Sequence, residues 1–185
     1  FWGLAFEMDS QSIAASYQGG SLELFSVPTG HRHWVITNKY NTLSIAFSRD
    51  GRSVVTACSD SAIRVLDKAT GKVVRTLTEH GGPYCLERPG DGRILAVGNG
   101  DHTISLWDAI SWKPLKILNG DHPVPKSRLI DDRIKSISFS RNSQALVATD
   151  WDQEVTVWDC ATGHPICELK APSAESSSIS CALFA

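Results

Sequence analysis

Between His102 and Leu118 the chain reads HTISLWDAISWKPLKIL, with Ile104 and Leu106 alternating against Thr103, Ser105 and Trp107. A period of two predicts a half-buried β-strand. Asp108 and the residues after it break that strand, and Pro114 to Leu118 begin a second. The stretch is therefore a predicted hairpin whose first strand ends on Trp107 and Asp108. The same pattern returns in VTVWDCATG, which carries Trp158, Asp159 and Gly163, in IRVLDKATG with Asp67 and Gly71, and in LELFSVPTG with Gly30. A glycine a few residues past the strand suits a hairpin loop that needs positive φ.

These hairpins sit in a longer repeat. LAFEMDSQSIAASYQGGSLELF, IAFSRDGRSVVTACSDSAIRVL, LERPGDGRILAVGNGDHTISLW and ISFSRNSQALVATDWDQEVTVW align without gaps over their central part. They end at Phe25, Leu66, Trp107 and Trp158, a spacing of 41, 41 and then 51 residues. Each unit predicts four strands. The first ends at Phe6, Phe47 or Phe139; the second is built of small residues (SIAAS, SVVTAC, RILAVG, QALVAT). A turn bearing Asp60, Asp101 or Asp152 leads to the third, and RHWVI, KVVRTL, KPLKIL and HPICEL supply the fourth. CALFA near the end places Phe184 where a fifth unit starts. Four short antiparallel strands per unit of about 41 residues predict an all-β chain of propeller blades.

SLWD, TVWD, the Thr-Gly turns, FSRDG and the turn Asp six residues before the Trp position together resemble the WD-repeat family. The resemblance covers nearly the whole chain, with repeats at about 1–41, 42–82, 83–133 and 134–178 and the start of another at 179–185. It implies blades set around an axis, the first strand of each innermost. It also implies that a loop His, a second-strand hydroxyl, the turn Asp and the Trp form a hydrogen-bonded structural set. On this chain that set comprises His80, Asp101 and Trp107, then His122, Asp152 and Trp158, with Asp60 in the second repeat. Val97 and Ala148 stand at two of the hydroxyl positions, where only Thr56 keeps the oxygen. Phe25-Ser26, Leu66, Arg88 and Trp112 are further departures from the family pattern.

The remaining features narrow the function. The net charge of −2 is spread without long runs, so neither a basic nucleic-acid stripe nor a polybasic membrane anchor is expected. No apolar run approaches the roughly 18 residues a spanning helix needs. Five cysteines without CxxC spacing behave as small hydrophobes and point to a reducing, cytoplasmic setting. His31-x-His33 lacks a third ligand nearby in sequence, so no metal is expected, and no cofactor motif is present. No nucleophile elbow appears, and the Asp and His residues are read as braces rather than catalysts. The rival from another class, an enzymatic propeller of lactonase or quinoprotein type, needs ligands on the inner strands, which offer Glu87 and Arg88.

Antiparallel order brings the turns between second and third strands to the same end of the blades as the interblade connections. On that face Trp151 and Tyr40 are candidate aromatic anchors and His102 a candidate polar contact. The longer loop GDHPVPKSRLIDDR adds Lys126, Arg128, Asp131 and Asp132. Four units and one further strand predict an open arc from a larger propeller, cut from a longer chain. The function expected from the resemblance is a non-catalytic scaffold that holds a protein or peptide on its loop-rich face.

Overall fold

A computed structural model of the chain describes residues 2–79, 81–119, 133–151 and 154–170. Among these described residues, sixteen strands form four four-stranded antiparallel sheets, each joined in simple up-and-down order. The first sheet holds β1 (Gly3–Phe6), β2 (Ser12–Ser16), β3 (Ser21–Ser26) and β4 (Arg32–Thr37). The second holds β5 (Thr42–Phe47), β6 (Ser53–Cys58), β7 (Ala62–Asp67) and β8 (Val73–Thr78). β9 (Pro83–Glu87), β10 (Ile94–Asn99), β11 (Ile104–Asp108) and β12 (Pro114–Leu118) make the third. β13 (Ile134–Phe139), β14 (Ala145–Asp150), β15 (Glu154–Asp159) and β16 (Pro165–Lys170) make the fourth. This is the all-β, blade-by-blade architecture of a β-propeller. Among the described residues no helix is long and apolar enough to cross a membrane. The residues expected to start a fifth unit, 179–185, lie outside the described residues.

Strand composition follows position in the sheet. β6, β10 and β14 are buried along almost their whole length, which is why they read as runs of Val, Ala, Leu and Ile rather than alternating patterns. The outer strands β4, β8 and β12 face solvent over most of theirs. Each hairpin between third and fourth strands carries a register shift at one repeated place, between Leu24 and Phe25, Val65 and Leu66, Leu106 and Trp107, and Val157 and Trp158. The extra residue of each bulge is His33, Val74, Leu115 or Ile166. Asp67, Asp108 and Asp159 lock the adjoining turns by accepting from the backbone N–H and hydroxyl of Thr70, Ser111 and Thr162. Gly71 and Gly163 take the left-handed position there with φ of 70° and 81°, and Trp112 is held at φ 59° in the same place.

The chain divides into two compact units, residues 1–86 and 87–185. In the first, one face of sheet one packs on sheet two. Ala14, Leu22 and Leu24, with Ala5, Trp34 and Ile36 beside them, meet Ile45, Phe47, Val54 and Leu66. Polar bonds stitch the seam: the buried Ser16 Oγ donates to the Thr42 carbonyl at 2.9 Å, Trp34 Nε1 donates to the Lys68 carbonyl at 2.7 Å, and Lys68 pairs with the buried Glu7. The opposite face of the first strand is bare, with Trp2, Leu4, Phe6 and Met8 between 46% and 61% exposed. In the second unit β13 lies beside β10, and Lys116 Nζ donates to the Ala161 carbonyl.

Candidate partner-binding face

In the second unit the loop-rich end of the last sheet is shaped by a bulge. Ile134 pairs with Asp150 and Ser136 with Thr149, which leaves Lys135 as the extra residue. A bulge bends its strand and re-aims the inserted side chain. Lys135 accordingly brings Nζ within 4.8 Å of the centre of the Trp151 ring, while the Arg133 guanidinium sits 5.8 Å from the same centre. Both distances are within the roughly 6 Å over which a cation is drawn to an aromatic face. Trp151 remains 42% exposed. Next to it the buried Asp150 accepts from the Glu154 backbone N–H at 2.9 Å and faces His102 Nδ1 at 3.7 Å. His102 is held at φ 68° in the turn between β10 and β11.

That turn has its own polar chain. Asp101 accepts from the hydroxyl of Thr103 at 2.6 Å, and Thr103 in turn accepts from Asn99 Nδ2 at 3.1 Å. Asn99 Nδ2 also donates to Ser105 at 2.9 Å. The Asn99 side chain is wholly buried, and its Oδ1 finds no donor among the described residues.

The first unit carries a comparable arrangement. Tyr40, 38% exposed in the connection ahead of β5, has Lys39 Nζ at 5.6 Å and the Arg64 guanidinium at 5.8 Å from its ring centre. Asp60 grips Arg64 through both carboxylate oxygens. That bond holds the Asp60 carboxyl below its usual range and raises the Arg64 guanidinium. Asn41 closes the neighbouring turns, accepting from Gly19 N–H and donating its own N–H to Ser59 Oγ, both at 3.1 Å.

Several expected site residues stand differently from the sequence reading. Asp101 is exposed and accepts from the N–H and hydroxyl of Thr103, which satisfies the carboxylate within its own turn. Asp60 pairs with Arg64 across its turn. Trp107 and Trp158 are buried, and Trp158 Nε1 finds no acceptor among the described residues. Ala148, two residues from the Trp158 partner Leu146 on the same face of β14, offers no oxygen there. His80, His122, Asp152, Lys126, Arg128, Asp131 and Asp132 lie outside the described residues. Sequence reasoning misses Arg64, Arg133, Lys135 and Asp150. Lys135 is the extra residue of its bulge and lies against the tryptophan ring, a placement that strict alternation does not mark.

Among the described residues no group of three or more His, Cys, Asp or Glu could hold a metal ion. Among the described residues Cys58, Cys160 and Cys167 are free thiols; burial and the neighbouring Asp159 push the Cys160 thiol up to about 11, which keeps it protonated at neutral pH. On the inner strand β9, burial pushes Glu87 up to about 7, against the pull of Arg88.

Comparison with known proteins follows the same pattern. The model of the WD domain, G-beta repeat matches residues 22–67, 71–108 and 112–159. The COMPASS component SWD3 of Saccharomyces cerevisiae is 28% identical over 165 residues, covering 88% of this chain and 52% of that protein. WD repeat-containing protein 82 of Drosophila melanogaster is 26% identical, covering 65% of this chain and 41% of its own length. DDB1- and CUL4-associated factor 10 of Xenopus laevis is 28% identical, with 63% and 24% covered. The chain thus spans about half the length, or less, of these relatives.

Proposed function

The chain belongs to the WD-repeat family, and on that footing we propose that it is a non-catalytic scaffold that holds a protein or peptide on its loop-rich face. The observation that carries this is Trp151, a large aromatic left open to solvent at the tip of a blade with two cations against its ring. Aromatic residues and Arg in rigid, partly dry settings dominate binding energy at interfaces. Similarity to a component of COMPASS and to a factor associated with DDB1 and CUL4 supports a role inside an assembly. The bare face of β1 and the length of the relatives support placing these blades within a larger propeller. A cytoplasmic setting is proposed from the free thiols, and fractionation of the tagged protein decides it.

The test is affinity capture with immobilised wild type, Trp151→Ala and Tyr40→Ala, each first shown to keep its far-ultraviolet β spectrum. Quantitative mass spectrometry of the eluates should show a discrete set of proteins retained by wild type and depleted by Trp151→Ala. Identical eluates from all three would overturn the loop face as the docking site.

A further inference from the structure

At the end of the sheets opposite the loop-rich face, the two units fill one equivalent place differently. In the first unit Lys68 opens the turn between β7 and β8 and reaches across to Glu7, in the turn between β1 and β2. This ion pair plugs the seam between sheets one and two, with the Glu7 carboxylate so close to Gly51 that a Cβ there would collide with Oε1. Identical main-chain bonds locate the matching residues of the second unit. Lys68 N–H donates to the Arg52 carbonyl as Cys160 N–H donates to that of Gln144, and Ser10 N–H donates to Glu7 as Gly92 N–H donates to Pro89. Cys160 and Pro89 thus stand in the places of Lys68 and Glu7, and neither has the reach of the residue it replaces. By the same test Ser143, at φ 60°, stands in the place of Gly51, at φ 66°. Here, between sheets three and four, lies a cleft of about 460 Å³ lined by Ile94, Ser143, Gln144, Asp159, Cys160 and Ala161. Its volume is that of a small-ligand site.

We propose that this cleft binds an alkylammonium group, a partner's lysine side chain or a small free amine, as the first unit seats its own Lys68. Ile94 gives the alkyl stem an apolar wall. Ser143 starts its side chain where the first unit holds the Glu7 carboxylate, so its hydroxyl oxygen takes over as an acceptor for the ammonium. Asp159 supplies the charge. Its Oδ1 accepts from the N–H and the hydroxyl of Thr162, bonds that hold the carboxyl below its usual range, and Oδ2 takes no part in them. Lys116 is the cation at the rim, donating to the Ala161 carbonyl at 2.5 Å. An incoming ammonium therefore gains from Asp159 and loses to Lys116, which gives these two side chains opposite effects on binding. The site lies away from the loop-rich face and does not rest on the reading given to that face.

The experiment follows amide shifts of the isotope-labelled whole chain during titration with n-butylammonium, n-butanol and butyrate. A short peptide of Gly and Ser around one central Lys, and its norleucine counterpart, test the side-chain source. The amides of Ser143, Gln144 and Cys160 should shift saturably with the ammonium probes and at least threefold more weakly, by roughly the value of a surface charge pair, with the uncharged ones. Asp159→Asn should weaken the ammonium roughly threefold and Lys116→Met should tighten it by a similar factor, both leaving butanol unchanged. Cys160→Lys, which restores the first unit's residue, should fill the cleft and abolish the shifts; if that variant does not fold, the Asp159 and Lys116 variants decide. A response to the peptide assigns the ligand to a partner's lysine, and a response to butylammonium alone assigns it to a small amine. Equal binding of ammonium and alcohol, tighter binding of butyrate, or retained binding in folded Cys160→Lys would overturn the proposal.

Discussion

Trp158 is buried at 3% exposure with its indole N–H unpaired among the described residues, and Ala148 lies close on the same face. A buried donor without a partner forfeits free energy that a nearby oxygen recovers. Ala148→Ser should therefore stabilise the protein by about 0.5–1.5 kcal/mol, read as a higher denaturation midpoint at unchanged slope; a lower midpoint would mean the hydroxyl cannot reach the indole. A second residue-scale effect is electrostatic. Burial raises Glu87 from its ordinary 4.5 to about 7, so between those values the folded chain holds a proton that the unfolded chain releases. Stability due to this group is then fully present below pH 4.5, falls as the pH rises from there to about 7 and is flat above. Glu87→Gln should remove that slope from a series of denaturation curves between pH 5 and 7, and an unchanged slope would assign it elsewhere. The buried tryptophans are legible in the sequence because they recur at one position of a repeat. Asp101 is not, because its turn satisfies the carboxylate within two residues, and local hydrogen bonding leaves no trace in a pattern of spacing.

At the scale of elements, the turns decide how well each sheet closes. Gly19 and Gly20 sit side by side between β2 and β3 with φ of 90° and 84°, yet they differ in surroundings. A Cβ at Gly19 would meet open space, whereas one at Gly20 would lie 2.1 Å from the Asn38 carbonyl oxygen. Gly19→Ala should cost about 1–2 kcal/mol, the penalty of a left-handed backbone alone. Gly20→Ala should cost clearly more, because it also displaces the connection to β5; thermal melts of the pair check the order, and equal losses would contradict it. Strands themselves are readable as runs or alternations, but bulges are not. His33, Val74, Leu115 and Ile166 each occupy one, which throws the outer strands off the period of two. Lys135 is another case of the same effect, since an inserted residue breaks the alternation of its strand.

Across the molecule, the rhythm of 41 residues is the strongest signal, because each unit repeats the same burial at the same positions. That correspondence exposes a mismatch on the first sheet. Leu4 and Phe6 match Ile45 and Phe47, which lie buried under Leu22, Leu24 and their neighbours, yet Leu4 and Phe6 are each 59% exposed. Covering a Leu or Phe side chain is worth about 1.5–3 kcal/mol, so this 185-residue chain should self-associate. In sedimentation velocity the weight-average size should rise with concentration and should fall back in the double variant Leu4→Lys, Phe6→Lys; a single small species for wild type would refute this. The seams inside each unit carry a different lesson. Trp34 and Lys116 stand at equivalent points of their repeats and reach the next sheet's hairpin through unlike chemistry, an indole in one and an ammonium in the other. Both are received by a main-chain carbonyl, which every amino acid possesses. Evolution can therefore rewrite the receiving side at will and exchange one long donor for another, so such repeats drift apart in spelling while still fitting together.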